Sequence, residues 1–285
     1  MDKIQKIYKT PRAFRIAMSD RVRKTARESG QPYEDIYRRI AMDRLLARVD
    51  WNEWMAKGGY VLQMRLPNAR RTKDVDLSIT SGTFWNKDNE DLESALLAKL
   101  QEMSRRDVGD YFSFEVAFDR FLPAFGKGGI RCIARCLVDG QLWSTFQVDA
   151  IVQDQTVFPA EPLEGDNFLV FAGVEPVNLK VPPKEEVFAE KMHAYTTPRE
   201  MENTRVKDLL DIALLIESGL DTTNARAAVL GVFKIRGTHA PPAVLPQPPD
   251  SWESIFSSLA SEARVRLTLQ QALEVSAQFY RRLGI

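Results

Sequence analysis

No apolar run in this sequence approaches the roughly 18 residues that a membrane-spanning helix needs. No signal-peptide-like apolar stretch follows its start, so neither a membrane span nor secretion is expected and the cytoplasm is the expected compartment. Cysteine is scarce: Cys132 and Cys136 are too few for a disulfide framework or a four-ligand zinc site, and a reducing compartment suits both. Net charge is missing too. The 39 Lys and Arg balance 39 Asp and Glu, so no global field draws the molecule onto nucleic acid or membrane. No internal repeat recurs, and the one biased tract is residues 236–250, where five of fifteen are proline (Pro241, Pro242, Pro246, Pro248, Pro249). What remains is a 285-residue chain, 44% hydrophobic and 27% charged, able to bury a substantial core in one large or two ordinary domains.

Charge is nonetheless uneven. Residues 1–30 hold nine Lys and Arg (Lys3, Lys6, Lys9, Arg12, Arg15, Arg21, Arg23, Lys24, Arg27) against three acids. Ile4, Ile7, Tyr8, Phe14 and Ile16 have helical spacing with Pro11 as an interruption. The segment reads either as a solvated helix face or as an arm along a nucleic-acid backbone. Tyr33, Tyr37, Ala41, Leu45 and Val49 recur every four residues beside Ile36 and Ile40, which predicts a core helix over 32–49. A short helix over Trp51–Ala56 leads to Gly58-Gly59, and Tyr60–Met64 reads as a short strand. Ser81-Gly82-Thr83 reads as a turn, and Leu92, Leu96, Leu100 and Met103 as a further helix face.

Strands are predicted over Tyr111–Phe118, Arg131–Val138 and Trp143–Val152. A loop ending in Gly126-Lys127-Gly128-Gly129 parts the first two, and an Asp139-Gly140 hairpin turn joins the last two. Phe168–Phe171 and Val177–Val181 offer two shorter strands. Pro182-Pro183 then breaks the chain and marks a domain boundary within 181–184. Helix patterns follow over Lys184–Tyr195, Arg205–Ser218, Trp252–Leu259 and Val265–Leu283. His239, in the proline tract, reads as a solvated loop histidine.

The stretch Arg70-Arg71-Thr72-Lys73-Asp74-Val75-Asp76-Leu77-Ser78-Ile79 carries the most chemistry. Its alternation over Thr72–Ile79 is that of a strand, with Thr72, Asp74, Asp76 and Ser78 on one face and Val75, Leu77 and Ile79 on the other. Two residues along a strand advance about 6.6 Å, so Asp74 and Asp76 point side by side into the same space. Neighbouring carboxylates repel one another unless a cation sits between them. Hard divalent ions such as Mg²⁺ take oxygen ligands and keep waters and phosphates as the rest. The basic residues just upstream suit an arriving triphosphate. An exposed strand edge with two solvated acids is the other reading of this pair alone. Upstream, Gly58-Gly59 either lets the backbone approach phosphate oxygens or simply caps a helix and turns.

Together the glycine pair, the Arg-x-x-Asp-x-Asp pattern and the apolar strand face resemble the DNA polymerase β-like nucleotidyltransferase superfamily. Gly58-Gly59-Tyr60-Val61-Leu62, followed by Arg71-Thr72-Lys73-Asp74-Val75-Asp76-Leu77, is most similar to the AbiEii/AbiGii-type toxin nucleotidyltransferases. The chain departs from the wider superfamily in having Gly-Gly where Gly-Ser is common, and in a longer spacer to the acids. Asp149 lies alone between apolar neighbours in Thr145-Phe146-Gln147-Val148-Asp149-Ala150-Ile151-Val152, and a buried unpaired Asp needs a cation or a hydrogen-bonding partner. Glu115, in Phe114-Glu115-Val116, is the competing candidate. In the enzymes resembled, a third carboxylate from a neighbouring strand completes the metal site. That implies Asp74, Asp76 and Asp149 as catalytic ligands of Mg²⁺ or Mn²⁺.

Asp208 and Asp211 share a helix face, and Lys207 reaches Asp211 at i+4, which is also the pattern of a salt-bridged helix surface. Glu190-Lys191-Met192 followed by Arg205-Val206-Lys207-Asp208-Leu209-Leu210-Asp211 looks like the second signature of the same family. By that match Lys191 contacts the nucleotide phosphates, Lys207 and Asp211 function in the same pocket, and Asp208 orients them. The match also implies nucleotide contacts from Gly58, Gly59, Arg71 and Thr72.

The resemblance spans 57–211 and implies an α/β (α+β) fold. A mixed-sheet nucleotidyltransferase core with flanking helices would occupy 1–182, and an all-helical C-terminal domain over 183–285 would close the nucleotide cleft. It implies transfer of a nucleotide from an NTP onto an RNA acceptor, the 3′ end of a tRNA, by the toxin of a toxin–antitoxin pair. The implied partners are therefore an NTP, RNA and a cognate antitoxin, with no membrane. Converging acids imply two-metal phosphoryl chemistry, with Arg71 and Lys191 stabilising charge on the phosphates. Transfer onto a protein hydroxyl, and a non-catalytic NTP- or RNA-binding module, are the alternatives.

Overall fold

The computed structural model describes residues 7–80, 84, 87–123, 128–153 and 155–285. In chain order its elements begin α1 (Pro11–Ser29), α2 (Tyr33–Leu46), β1 (Trp54–Lys57), α3 (Gly58–Arg65), β2 (Asp74–Ile79) and α4 (Asn89–Ser104). Five strands follow: β3 (Phe112–Leu122), β4 (Gly129–Val138), β5 (Gln141–Val152), β6 (Glu161–Glu164) and β7 (Asn178–Val181). Helices α5 (Lys184–Thr196), α6 (Val206–Glu217), α7 (Thr222–Arg236), α8 (Trp252–Glu262) and α9 (Leu269–Leu283) complete the chain.

The chain divides into two compact units. One comprises Met1–Ala56, Lys73–Asp154 and Pro162–Lys180, the other Lys57–Thr72, Gln155–Glu161 and Val181–Ile285. One crossing lies between Lys180 and Val181, just before the proline pair at 182–183, and the division is not a single cut. Lys57–Thr72 joins the later helices because Leu62, Leu66 and Ala69 pack in their apolar core.

The first unit is built on a five-stranded mixed sheet of order β1-β2-β5-β4-β3. Strands β2 and β5 run parallel, while β5–β4 and β4–β3 are antiparallel. The period of two separates its faces. Val75, Leu77 and Ile79 of β2, Cys132, Ala134 and Cys136 of β4, and Val148, Ala150 and Val152 of β5 form the buried side. Helix α4 packs on β3 and β4, and α2 on β5. Asp139 and Gly140 both adopt positive φ (57° and 67°), the backbone of a two-residue hairpin turn whose twist matches its strands. Both cysteines are buried and unbridged, and burial pushes the Cys132 thiol up to about 12.

Several elements differ from those expected. Pro11 does not interrupt the basic segment. It opens α1 at a first-turn position where no N–H is needed, behind Thr10, whose hydroxyl accepts from Ala13 N at 3.2 Å. Phe14, Met18 and Val22 bury one stripe of α1 while Arg12, Arg23, Lys24 and Arg27 stay exposed. Tyr60–Met64 is helical, not a strand, and residues 54–56 are strand, not helix. Both are short apolar runs, which periodicity alone cannot assign. Phe168–Phe171 contains a 3-10 turn over Val170–Ala172, and Asn178–Val181 is the strand β7, paired with β6. The turn expected at Ser81-Gly82-Thr83, the residues Gly126 and Lys127, and the basic residues Lys3 and Lys6 lie outside the described residues.

A buried ion cluster ties α2 to the start of β3. Asp110 accepts from Arg44 Nε at 2.7 Å and from Arg48 Nη2 at 2.8 Å, and Arg48 Nη2 also donates to the Phe112 carbonyl at 2.8 Å. Burial alone would raise the Asp110 pKa, but Arg48 and Arg44 outweigh it and hold the carboxyl below its usual range. Asp110→Ala would leave the buried Arg48 guanidinium without its carboxylate and Arg44 with Asp43 alone at 3.5 Å, a cost of about 3–5 kcal/mol. Urea denaturation measures it, and a loss below about 1 kcal/mol would show that other partners suffice.

In the second unit, α5 to α9 surround one apolar core that includes Phe188, Met192, Leu209, Leu210, Phe256 and Phe279. Asp221 caps α7, and a Thr268–Gln271 capping box opens α9. His239 is not a solvated loop residue. Its ring lies 4.7 Å from that of His193 and 4.9 Å from Phe233, and its Nε2 is 2.9 Å from Thr196 Oγ1. The pair holds the proline tract to α5, together with Tyr195, whose hydroxyl donates to the Pro246 carbonyl at 2.6 Å. Burial, His239 and Arg236 push His193 down to about 4, against a smaller opposing pull from Glu190. Burial lowers His239 as well. An unfolded histidine titrates near about 6.5. Between these values the unfolded chain binds more protons, so stability is full above pH about 6.5 and is lost as pH falls towards about 4. The thermal midpoint of the native protein should drop across that window, and much less so in His193→Gln.

Candidate functional site

The expected site residues gather in a charged cluster in each unit. On the sheet, Asp76 and Asp149 are register partners across the parallel β2–β5 pair, and Asp74 lies two residues along β2. Adjacent strands are about 4.8 Å apart, so the three acids leave the same face at neighbouring positions. Asp149, rather than Glu115, is therefore the acid that the fold brings beside the pair. Glu115 sits on β3, at the far edge of the sheet, and pairs with Arg135 at 2.7 Å.

Arg131 on β4, which no sequence motif marks, is the cross-strand partner of Asp149. Its Nε donates to Asp149 Oδ1 and its Nη2 to Oδ2, both at 2.6 Å. The hydrogen bonds that Arg131 donates to Asp149 raise the Arg131 pKa, burial opposes the rise, and the charges of Asp149, Asp74 and Asp76 add to it. A charged residue entering the apolar run Ile130–Ala134 was the available signal, but pairing it with Asp149 needs the register. Three carboxylates on one face are the donor set of a hard divalent ion, and the register suits that set. Among the described residues no three His, Cys, Asp or Glu side chains stand as a finished ion-binding group. Both oxygens of Asp149 are engaged by Arg131.

The second cluster forms between α5 and α6. Lys191 Nζ donates to Asp211 Oδ2 at 2.7 Å and to Asp208 Oδ1 at 3.0 Å. Arg70 Nη2 donates to the same Asp211 oxygen at 3.2 Å. Burial alone would lower the Lys191 pKa, but Asp211 and Asp208 outweigh burial and hold the ammonium charged, its pKa raised. Lys191 is thus a fixed cation and not a base. An ammonium has three N–H donors, and the two aspartates take two of them in a set direction. Arg70 is the arginine of this cluster, whereas Arg71 turns to Glu262, which accepts from its backbone N at 2.8 Å and from its Nε side at 3.2 Å. Lys207 is exposed, and the i+4 pairing with Asp211 gives way to Lys191 and Arg70. Next to Lys191, Glu190 accepts from Lys57 Nζ at 2.5 Å and from Arg236 Nη2 at 3.4 Å. Burial would raise the Glu190 pKa, but Lys57 and Arg236 hold it below the usual carboxylate range.

Lys57 leads into the glycine pair, and each glycine has its own reason. Gly58 has φ 68°, which side-chain-bearing residues rarely adopt. A Cβ on Gly59 would stand 2.8 Å from Thr72 Oγ1 and 2.9 Å from its Cβ, so the absence of a side chain lets Thr72 close over α3. The two residues open the first turn of α3, whose N–H groups have no partner within the helix. Gly58→Ala should cost about 1–2 kcal/mol through the left-handed conformation. Gly59→Ala should act instead by displacing Thr72. Chemical denaturation tests the first, and a Gly58→Ala protein as stable as the parent would remove the strain argument.

No curated protein sequence matches the chain significantly. Among solved structures it is similar to MenT4, a nucleotidyltransferase toxin from Mycobacterium tuberculosis H37Rv, at 19% identity and a TM-score of 0.56, over 92% of this chain and 98% of that one. JHP933 from Helicobacter pylori also matches, at 13% identity and a TM-score of 0.43, over 86% of this chain and 88% of that one. At such identities the likeness to MenT4 speaks for the fold alone. The model of the family described as nucleotidyl transferase AbiEii toxin, of type IV toxin–antitoxin systems, matches residues 40–277, and the chain belongs to that family.

Proposed function

We propose that this chain moves a nucleotide from an NTP onto an RNA acceptor, the 3′ end of a tRNA, in a metal-dependent reaction. The observation that carries this reading is the register that sets Asp149 beside Asp76, with Asp74 on the same face. Asp74, Asp76 and Asp149 would hold divalent ions, Mg²⁺ or Mn²⁺, which when bound lower the pKa of an attacking hydroxyl and neutralise phosphate charge. Lys191, aimed by Asp208 and Asp211, supplies an N–H to a phosphate oxygen, and Arg70 adds a second cation beside it. Gly58 and Gly59 offer the backbone N–H groups of the first turn of α3, with Thr72 packed against them.

An RNA acceptor is favoured by α1, which presents Arg12, Arg23, Lys24 and Arg27 to solvent. Its own acids compete weakly, with Arg23–Asp20 at 3.5 Å and Lys24–Glu28 at 3.8 Å, both exposed pairs of the kind worth little in water. Phosphates can displace such pairs through counterion release. As the toxin of a type IV system, the protein has an antitoxin as its counterpart.

The test supplies each labelled NTP in turn with Mg²⁺ and total RNA. Label should enter RNA with the parent protein and fall by at least about a hundredfold with Asp76→Ala or Lys191→Ala, as when a group that stabilises transition-state charge is removed. Label on protein instead would mean transfer to a protein hydroxyl. Saturable NTP binding with no labelled product would mean a binding module.

A further inference from the structure

Arg131 presents a problem that the transfer reaction does not by itself explain. A permanently charged guanidinium is fixed on the acid that an incoming ion would need. The contact follows from backbone register, since Arg131 and Asp149 are opposite residues of the antiparallel β4–β5 pair. Their side chains are only 19% and 14% exposed, so water screens the pair poorly. Asp74 and Asp76 add their negative charges to its surroundings. A histidine so placed could shed its proton when a divalent ion arrived. Arginine cannot, and relief comes only from meeting another anion.

A phosphate group is that anion. The same fork of donors that grips a carboxylate at two points grips phosphate oxygens equally well. We propose that Arg131 is a built-in counter-ion of the acid face: it holds Asp149 in the nucleotide-free protein, weakens the binding of a bare divalent ion, and passes to the phosphates when nucleotide arrives. Ion and nucleotide then bind cooperatively, because the nucleotide releases the ligand that the ion requires. The inference rests on the reading of Asp74, Asp76 and Asp149 as ion ligands, and it assigns Arg131 a role in ordering how substrate and ion bind.

Direct Mn²⁺ binding, followed by the electron paramagnetic resonance of the free ion, tests this without catalysis. Removing a unit charge beside a divalent ion in a partly buried site changes affinity by a factor of at least about ten. Arg131→Gln should therefore bind Mn²⁺ alone at least about tenfold more tightly than the parent. Arg131→Lys, which keeps the charge but loses the two-point grip, should stay close to the parent. A non-hydrolysable NTP analogue should tighten Mn²⁺ binding more in the parent than in Arg131→Gln. Should the glutamine variant not fold, Arg131→Met carries the same expectation. Equal or weaker Mn²⁺ binding by a folded neutral variant overturns the proposal, as does a lysine variant that binds as tightly as the neutral one. Asp76→Asn separates the two failures. If neither the parent nor a neutral variant binds Mn²⁺ with or without analogue, or if Asp76→Asn binds as the parent does, the acid-face reading itself falls.

Discussion

Three like charges placed on one face of a sheet repel one another, and that repulsion organises the first unit of this protein. Asp74, Asp76 and Asp149 are held together by strand register, which the buried apolar face of β2 and β5 enforces. A slip of one residue would turn Asp149 into the core and Ala150 onto the polar face. The core thus stabilises an arrangement that electrostatics alone opposes. Arg131, delivered by the next strand, offsets part of the repulsion. The acid face is therefore a site whose charge is partly balanced from within, and open to rebalancing by ions and phosphates.

The helical unit handles charge in a related way. Lys191 and Arg70 share Asp211, Lys191 also meets Asp208, and Glu190 gathers Lys57 and Arg236. Each of these charges has an opposite neighbour, while the buried Glu186 accepts instead from the backbone N–H groups of Val157 and Phe158. The carboxylates fix the direction of Lys191 and leave its cationic character intact, so they act as positioning groups in the proposed reaction. Lys191 and Glu190 are adjacent on α5 and serve separate clusters, one at α6 and one leading to the glycine turn.

Much of the fold was legible from pattern alone. The alternation of β2 and β5, the Asp139-Gly140 hairpin and the spacing of α4, α5, α6 and α9 all agree with the structure, because period and turn chemistry are local properties. Short apolar runs misled. Tyr60–Met64 is helical although it reads as a strand, since five consecutive apolar or neutral residues fit a buried helix equally well. Pro11 read as a breaker when it is a helix opener, and only the cap at Thr10 distinguishes the two. Helix α7, absent from the sequence-based expectations, has helical spacing at Ala225, Ala228, Val229, Val232 and Phe233 between the caps Asp221 and Gly237.

The candidate site divides along the same line. Asp74 and Asp76 come from one short stretch, so their shared face follows from strand period. The glycine pair and the Lys191 and Asp211 signatures were likewise visible as motifs in the sequence. Arg131 on Asp149, Arg70 on Asp211, and His239 against His193 are contacts between residues 18, 141 and 46 positions apart, which local spacing cannot rank. The chain itself determined which chemical groups are present and on which face of each element they stand. Only the tertiary structure decided which opposite charges meet, because that depends on strand register and helix packing, and these are set by the apolar core rather than by the charged residues themselves.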